Sequence, residues 1–121
     1  MATNTLTDAP ATTAALYRAI RTGSDGATVD SYRQPLPETG YWVGGQSWTL
    51  VKAVSRITPD DVAGFVSTHP NARYFGVWVE NGRAYLDVVD HVPAERSAYA
   101  LATARSEMAV FNIATGESEW L

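Results

Sequence analysis

The chain contains no cysteine, so disulfides, thiolate nucleophiles and cysteine-based zinc sites are excluded by inventory, and nothing in it requires an oxidising compartment. Long apolar runs are missing as well: no window reaches the ~20 apolar residues that a membrane span needs. The N-terminal stretch Met1-Ala2-Thr3-Asn4-Thr5-Leu6-Thr7-Asp8 has neither a basic start nor an apolar core, and does not read as a secretory signal. These absences place the protein in the cytoplasm as an expectation, with no membrane partner. Lysine is nearly absent, Lys52 standing alone against eight arginines. Together with abundant alanine and threonine, that bias reads as a GC-rich genome rather than as chemistry.

Catalytic signatures are lacking too. There is no G-x-S-x-G, no phosphate-cradling glycine loop, no G-x-G-x-x-G and no Ser/His/Asp ordering. Gly40, Gly44 and Gly45 lack the following helix that a phosphate site requires. Asp60 and Asp61 fit a helix start, and Glu95, Glu107, Glu117 and Glu119 fit solvated positions, so no carboxylate pair has an evident acid/base role. The expectation is a non-enzymatic protein without a cofactor or metal.

What is present suits a globular domain: 121 residues, 45% apolar and 18% charged. A chain of this length buries roughly two thirds of the surface its unfolded form exposes, enough for one core. Net charge is −4, and its distribution is uneven. Residues 1–86 carry seven acids and seven bases, whereas residues 87–121 carry six acids against Arg96 and Arg105. A nucleic-acid binder concentrates the opposite sign on one face, which disfavours DNA or RNA as a partner.

Local signals give an α+β reading of residues 1–121 as one domain, with residues 1–7 expected to be disordered. Asp8-Ala9-Pro10 predicts a helix start, Leu16, Ala19 and Ile20 share its apolar face, and Gly23 ends it. A brief strand is predicted within Ala27–Tyr32. Tyr41-Trp42-Val43 and Ser47–Val51 flank Gly44-Gly45 and predict a hairpin. Thr58-Pro59-Asp60-Asp61 predicts the second helix, with Ile57 and Val62 placed for a hydrophobic staple and a stop near His69-Pro70. Tyr74–Glu80 and Arg83–Val89 joined by Asn81-Gly82 predict a two-residue hairpin. Pro93 opens a third helix to about Glu107, striped by Ala94, Ala98, Leu101, Ala102 and Arg105. A last strand runs Ala109–Ile113 before Gly116. The sum is a mostly antiparallel sheet with about three helices on one face.

The Asn81-Gly82 turn sets a register: Trp78 opposite Tyr85, Val77 opposite Leu86, Gly76 opposite Asp87 and Phe75 opposite Val88. Phe75, Val77, Val79, Ala84, Leu86 and Val88 then form a core face. The other face carries Tyr74, Trp78, Tyr85 and Val89 around Gly76 and Asp87. Aromatics beside a polar handle suit partner binding, so Tyr74, Trp78, Tyr85 and Asp87 are the candidate binding residues. The alternative is that a helix or the Tyr41 hairpin covers this face. Asp87, Asp90 and His91 are the one cluster of metal-ligand type, but alternation along a strand sends them to opposite faces. His69, before Pro70, fits a helix-end residue bonded to free carbonyls better than it fits a base.

The order of motifs from residue 74 to 118 resembles small uncharacterised proteins of actinobacteria, their phages and mobile elements. The resemblance rests on Gly76 with Trp78, the Tyr85–Val88 strand, Ala100-Leu101 with Ala104-Arg105, and Ala109 and Phe111 with Gly116-Glu117. It implies a shared fold and origin, transfers no catalytic residue and leaves residues 1–60 unplaced. The function implied is modulation of a host protein by a phage or mobile-element protein, for host takeover or counter-defence. Two alternatives stay open: a small-molecule or nucleotide binder that stacks its ligand on the aromatics, and a structural protein that self-assembles as a homo-oligomer.

Overall fold

The computed structural model describes residues 8–121; the segment 1–7, expected to be disordered, lies outside the described residues. The fold is α+β: three helices, and seven strands that pair antiparallel throughout. In chain order the elements are α1 (Ala9–Thr22), β1 (Ala27–Asp30), β2 (Tyr41–Val43), β3 (Leu50–Ala53), α2 (Pro59–Ser67), β4 (Tyr74–Glu80), β5 (Arg83–Val92), α3 (Glu95–Ala104), β6 (Ala109–Asn112) and β7 (Glu117–Trp120). None of these helices is long and apolar enough to cross a membrane.

The helix ends form as their sequences dictate. Asp8 caps α1 by accepting the Ala11 N–H, and Gly23 closes it in the left-handed conformation at φ +72°. At α2, Thr58 and Asp61 bond each other's backbone N–H in a capping box, and Ile57 and Val62 are both buried beside it. Pro93 does not open α3 as predicted: it lies two residues before the first helical residue, Glu95, and immediately before the Ala94 N-cap. Asn81 and Gly82 both have positive φ, +53° and +75°, as a primed two-residue turn requires. The β4–β5 register is the predicted one, with Trp78 opposite Tyr85 and Phe75 opposite Val88.

β5 organises the sheet. Its ten residues pair with β4 along one edge, and along the other with β3 through Arg83–Leu86 and with β2 through Asp90–Val92. β2 continues to β6 and β7, giving the order β1-β4-β5-β2-β6-β7 with β3 beside β5. The predicted β2–β3 hairpin does not form, because both strands lie end to end against β5. The physical reason is visible at the turn. Type I′ needs positive φ at both central residues and type II′ at the first, whereas here Gly45 is left-handed and Gly44 is not. β7 lies beyond the last strand that the sequence predicts, which ends before Gly116.

Two clusters form the interior. The larger joins Leu16 and Ile20 of α1 and Val62, Phe65 and Val66 of α2 to Phe75, Val77, Ala84, Leu86 and Val88 of the β4–β5 hairpin. The smaller joins Ala98 and Ala102 of α3 to Val43 and Val110, with Val92 at its margin. Ala84, Leu86, Val88 and Val92 alternate along β5 and therefore share one side of the sheet. All three helices pack on that side.

Candidate functional site

Among the described residues, no helix covers the opposite side of the sheet. Alternation places Tyr74, Gly76 and Trp78 of β4 there, with Tyr85, Val89 and His91 of β5 and Val51 of β3. Pairing of Trp42 with His91 and with Phe111 carries the same surface across β2 and β6. Trp120, opposite Ala109, ends it on β7.

Cross-strand contacts order this row. Trp78 and Tyr85 lie parallel at 2° with ring centroids 5.0 Å apart, an arrangement the register imposes by placing them directly opposite. Trp42 meets Tyr74 edge-on at 4.8 Å and His91 at 5.6 Å, the quadrupole-favoured geometry. The His91 Nε2–H donates to the Thr39 carbonyl at 2.9 Å, which fixes the ring. The Arg73 guanidinium lies 4.8 Å from the Tyr32 ring centre and 5.1 Å from that of Tyr74. Its charge is answered by the buried Asp30 at 3.2 Å.

Three of the four predicted binding residues, Tyr74, Trp78 and Tyr85, are thus on the helix-free face and half-buried against their neighbours. Asp87 has the same parity but a different fate. It pairs with Gly76 of β4 on one edge, but on the other it sits in the gap between the ends of β3 and β2, and it is only 5% exposed. Its carboxylate accepts the Gly45 N–H at 3.1 Å and the Val88 N–H at 2.9 Å. It substitutes for a missing stretch of ladder and is turned toward the Gly44-Gly45 loop, away from the aromatic row. A Cβ at Gly44 would come within 2.6 Å of the Asp87 Oδ2 and one at Gly45 within 2.7 Å of Glu107, which explains both glycines. Burial pushes the Asp87 carboxyl up, against the pull of its two backbone N–H partners. Burial and the neighbouring Asp87 likewise raise Glu107.

The Asp87, Asp90 and His91 trio does not converge. Asp90 pairs with Arg105 at 2.7 Å on the helix side, while His91 lies on the other face; no metal-ligating cluster occurs among the described residues. His69 Nδ1 donates to the Phe65 carbonyl at 2.9 Å, the helix-end role its position predicts, and its Nε2 accepts from the Ser47 hydroxyl at 3.0 Å. An open groove of about 380 Å³ lies between α1, Val29 and Leu36. Its buried acid, Asp30, is already held by Arg73.

Sequence reasoning missed Trp42, Phe111 and Trp120 as members of the face. Trp42 lies in a strand that the sequence predicts, but that strand pairs with β5 and β6 rather than with β3. Trp120 carried no usable signal, since a four-residue strand bearing two glutamates has no apolar alternation. The chain matches no protein-family model, no curated protein and no solved structure.

Proposed function

We propose that this protein is a non-enzymatic binding domain, encoded by an actinobacterial phage or mobile element, that modulates a protein of the host cytoplasm through the helix-free face of its sheet. The observation that carries the reading is the one-sided packing of the helices. A sheet normally buries its apolar face against another layer, and here the second face displays Trp42, Tyr74, Trp78, Tyr85 and Phe111 with no layer of the described residues over them. Interfaces favour such rigid aromatics, which contribute large contact area at little entropic cost.

The polar groups around the row support a protein partner over a nucleotide. Arg73 is engaged by Asp30, Arg83 on the same face lies directly opposite Glu80, and Trp78 and Tyr85 already stack on each other, so a base would have to compete with an existing stack. Trp78→Ala combined with Tyr85→Ala tests the reading. Tagged protein expressed in an actinobacterial host should retain a stoichiometric protein by native mass spectrometry, and the double variant should lose it while keeping its thermal midpoint within a few degrees. Equal capture by both forms rules out this face. A nucleotide panel that raises the melting temperature instead would favour the small-molecule alternative.

A further inference from the structure

The helix-free face ends at β7, and the surroundings of that strand differ from the rest of the row. Met108 is 75% exposed and Trp120 70%, with Leu121 and Phe111 also open to solvent. Among the described residues, four of the seven exposed large apolar side chains therefore lie in or beside the last two strands, a local density that marks interaction surfaces. β7 is also the terminal strand of the sheet. Because the Leu121 N–H bonds the Met108 carbonyl, residues 117, 119 and 121 direct their backbone groups inward to β6. The N–H and C=O of Ser118 and Trp120 then point outward, free to pair.

The charge of this edge is one-sided. Glu117 and Glu119 project on the helix side of β7, where Glu119 meets the α3 side chain of Tyr99, and neither forms an ion pair among the described residues. Glu119 is held in place by the Asn112 amide at 2.8 Å and the Tyr99 hydroxyl at 2.7 Å, and those two bonds keep its carboxyl below the usual range. The same bond pushes Tyr99 up to about 12. Two copies of β7 paired antiparallel about Ser118 would set Glu117 opposite the partner's glutamate at 119, and like charges directly opposite destabilise a ladder. Acidic residues on an edge do guard against such self-pairing. That role accounts for the glutamates and leaves the exposed Trp120 and Met108 unexplained.

We infer that β7 is a strand-addition site that accepts an extended segment of a protein partner in which basic and apolar residues alternate. The segment's backbone pairs with Ser118 and Trp120, its Lys or Arg side chains fall opposite Glu117 and Glu119, and its apolar side chains continue the row over Trp120 and Phe111. Main-chain bonds then supply affinity and alternate side chains supply specificity, as in other strand-addition complexes. This inference rests on the protein-binding reading above and names the chemistry of the partner.

The probe is a short peptide alternating lysine with valine, titrated into the 15N-labelled full chain and followed by amide shifts. The expected result is perturbation centred on Ser118 and Trp120, saturable and weakened by salt. A glutamate–valine peptide, or a scramble of the first, should bind at least roughly tenfold more weakly, a gap of about 1.4 kcal/mol. Ser118→Pro removes an outward N–H without breaking the β6 ladder, a position where an edge proline is tolerated. It should abolish the perturbation, and so should Glu117→Lys, which keeps the fold independent of proline effects. Absence of shifts at Ser118 and Trp120, or equal binding of the scramble, overturns the inference. If a captured host protein depends on Trp78 and Tyr85 but survives both β7 variants, the edge proposal falls while the face proposal stands.

Discussion

The two halves of the sheet are built to different standards. The half formed by β1, β4, β3 and the first part of β5 rests on α1 and α2, with phenylalanine, leucine, isoleucine and valine interlocked beneath it. The half formed by β2, β6, β7 and the end of β5 rests on α3, whose buried contribution is Ala98 and Ala102 against Val43 and Val110. The first core supplies the fold. The second is thin, and it carries the exposed Met108, Phe111, Trp120 and Leu121. A domain can leave one half of its sheet so lightly covered when a stronger core anchors the shared strand. Here that strand is β5, which serves both halves.

The comparison predicts unequal responses to truncation. Phe75→Ala should cost about 3–5 kcal/mol, the range for a phenylalanine deleted from a packed core. Val110→Ala, at about 0.8 kcal/mol per buried methylene equivalent, should cost about 2 kcal/mol or less. Urea denaturation of both variants measures the difference, and similar losses would erase the distinction between the halves. Next in size is Ala98→Leu, which forces bulk between α3 and Val43. An overpacking loss of about 1–3 kcal/mol is expected if α3 needs its alanines for close approach, whereas a gain in stability would show that the thin core simply has room.

The joint between the halves gives two finer predictions. Asp87→Asn leaves one acceptor oxygen for two N–H donors, Gly45 and Val88. One buried donor is orphaned, at about 1–3 kcal/mol, read as a lowered urea midpoint near neutral pH. The pH dependence has a definite sign. Burial raises both Asp87 and Glu107 in the folded state, so the folded protein binds these protons more tightly than the unfolded chain does. Stability from this pair is present at low pH and declines as pH rises from the ordinary carboxylate range through the raised folded values. Glu107→Gln should flatten that decline by removing one titrating group and the like charge beside Asp87. An unchanged pH profile would show that the two carboxylates do not communicate.

The first half was far more legible in sequence than the second, for reasons that lie in particular residues. Asn81-Gly82 fixed the β4–β5 register because few residue pairs adopt two successive positive φ values, and Thr58-Pro59-Asp60-Asp61 fixed the start of α2 through a cap that is entirely local. The pairing of β2 and β3 was not local. It depends on the length of β5 and on Asp87 capturing the Gly45 N–H across 42 positions of chain, which no window around Gly44-Gly45 contains. β7 escaped because edge strands bearing charge lack the apolar period that reveals buried ones. Tyr74, Trp78 and Tyr85 were found through the turn register alone. Trp42 joined them only through the long-range pairing, and Asp87 left them because the gap in the ladder claimed its carboxylate.

Hydroxyl-radical footprinting of the protein, free and in complex with a host protein captured from an actinobacterial lysate, tests the central claim most directly. Trp78 and Tyr85 report the helix-free face, while Trp48, packed on Phe65 and His69 with half of its surface exposed, reports the helix side. Protection of Trp78 and Tyr85 with Trp48 unchanged is the predicted result. Protection of Trp48 with undiminished oxidation of Trp78 and Tyr85 would place the partner on the helices and contradict the account.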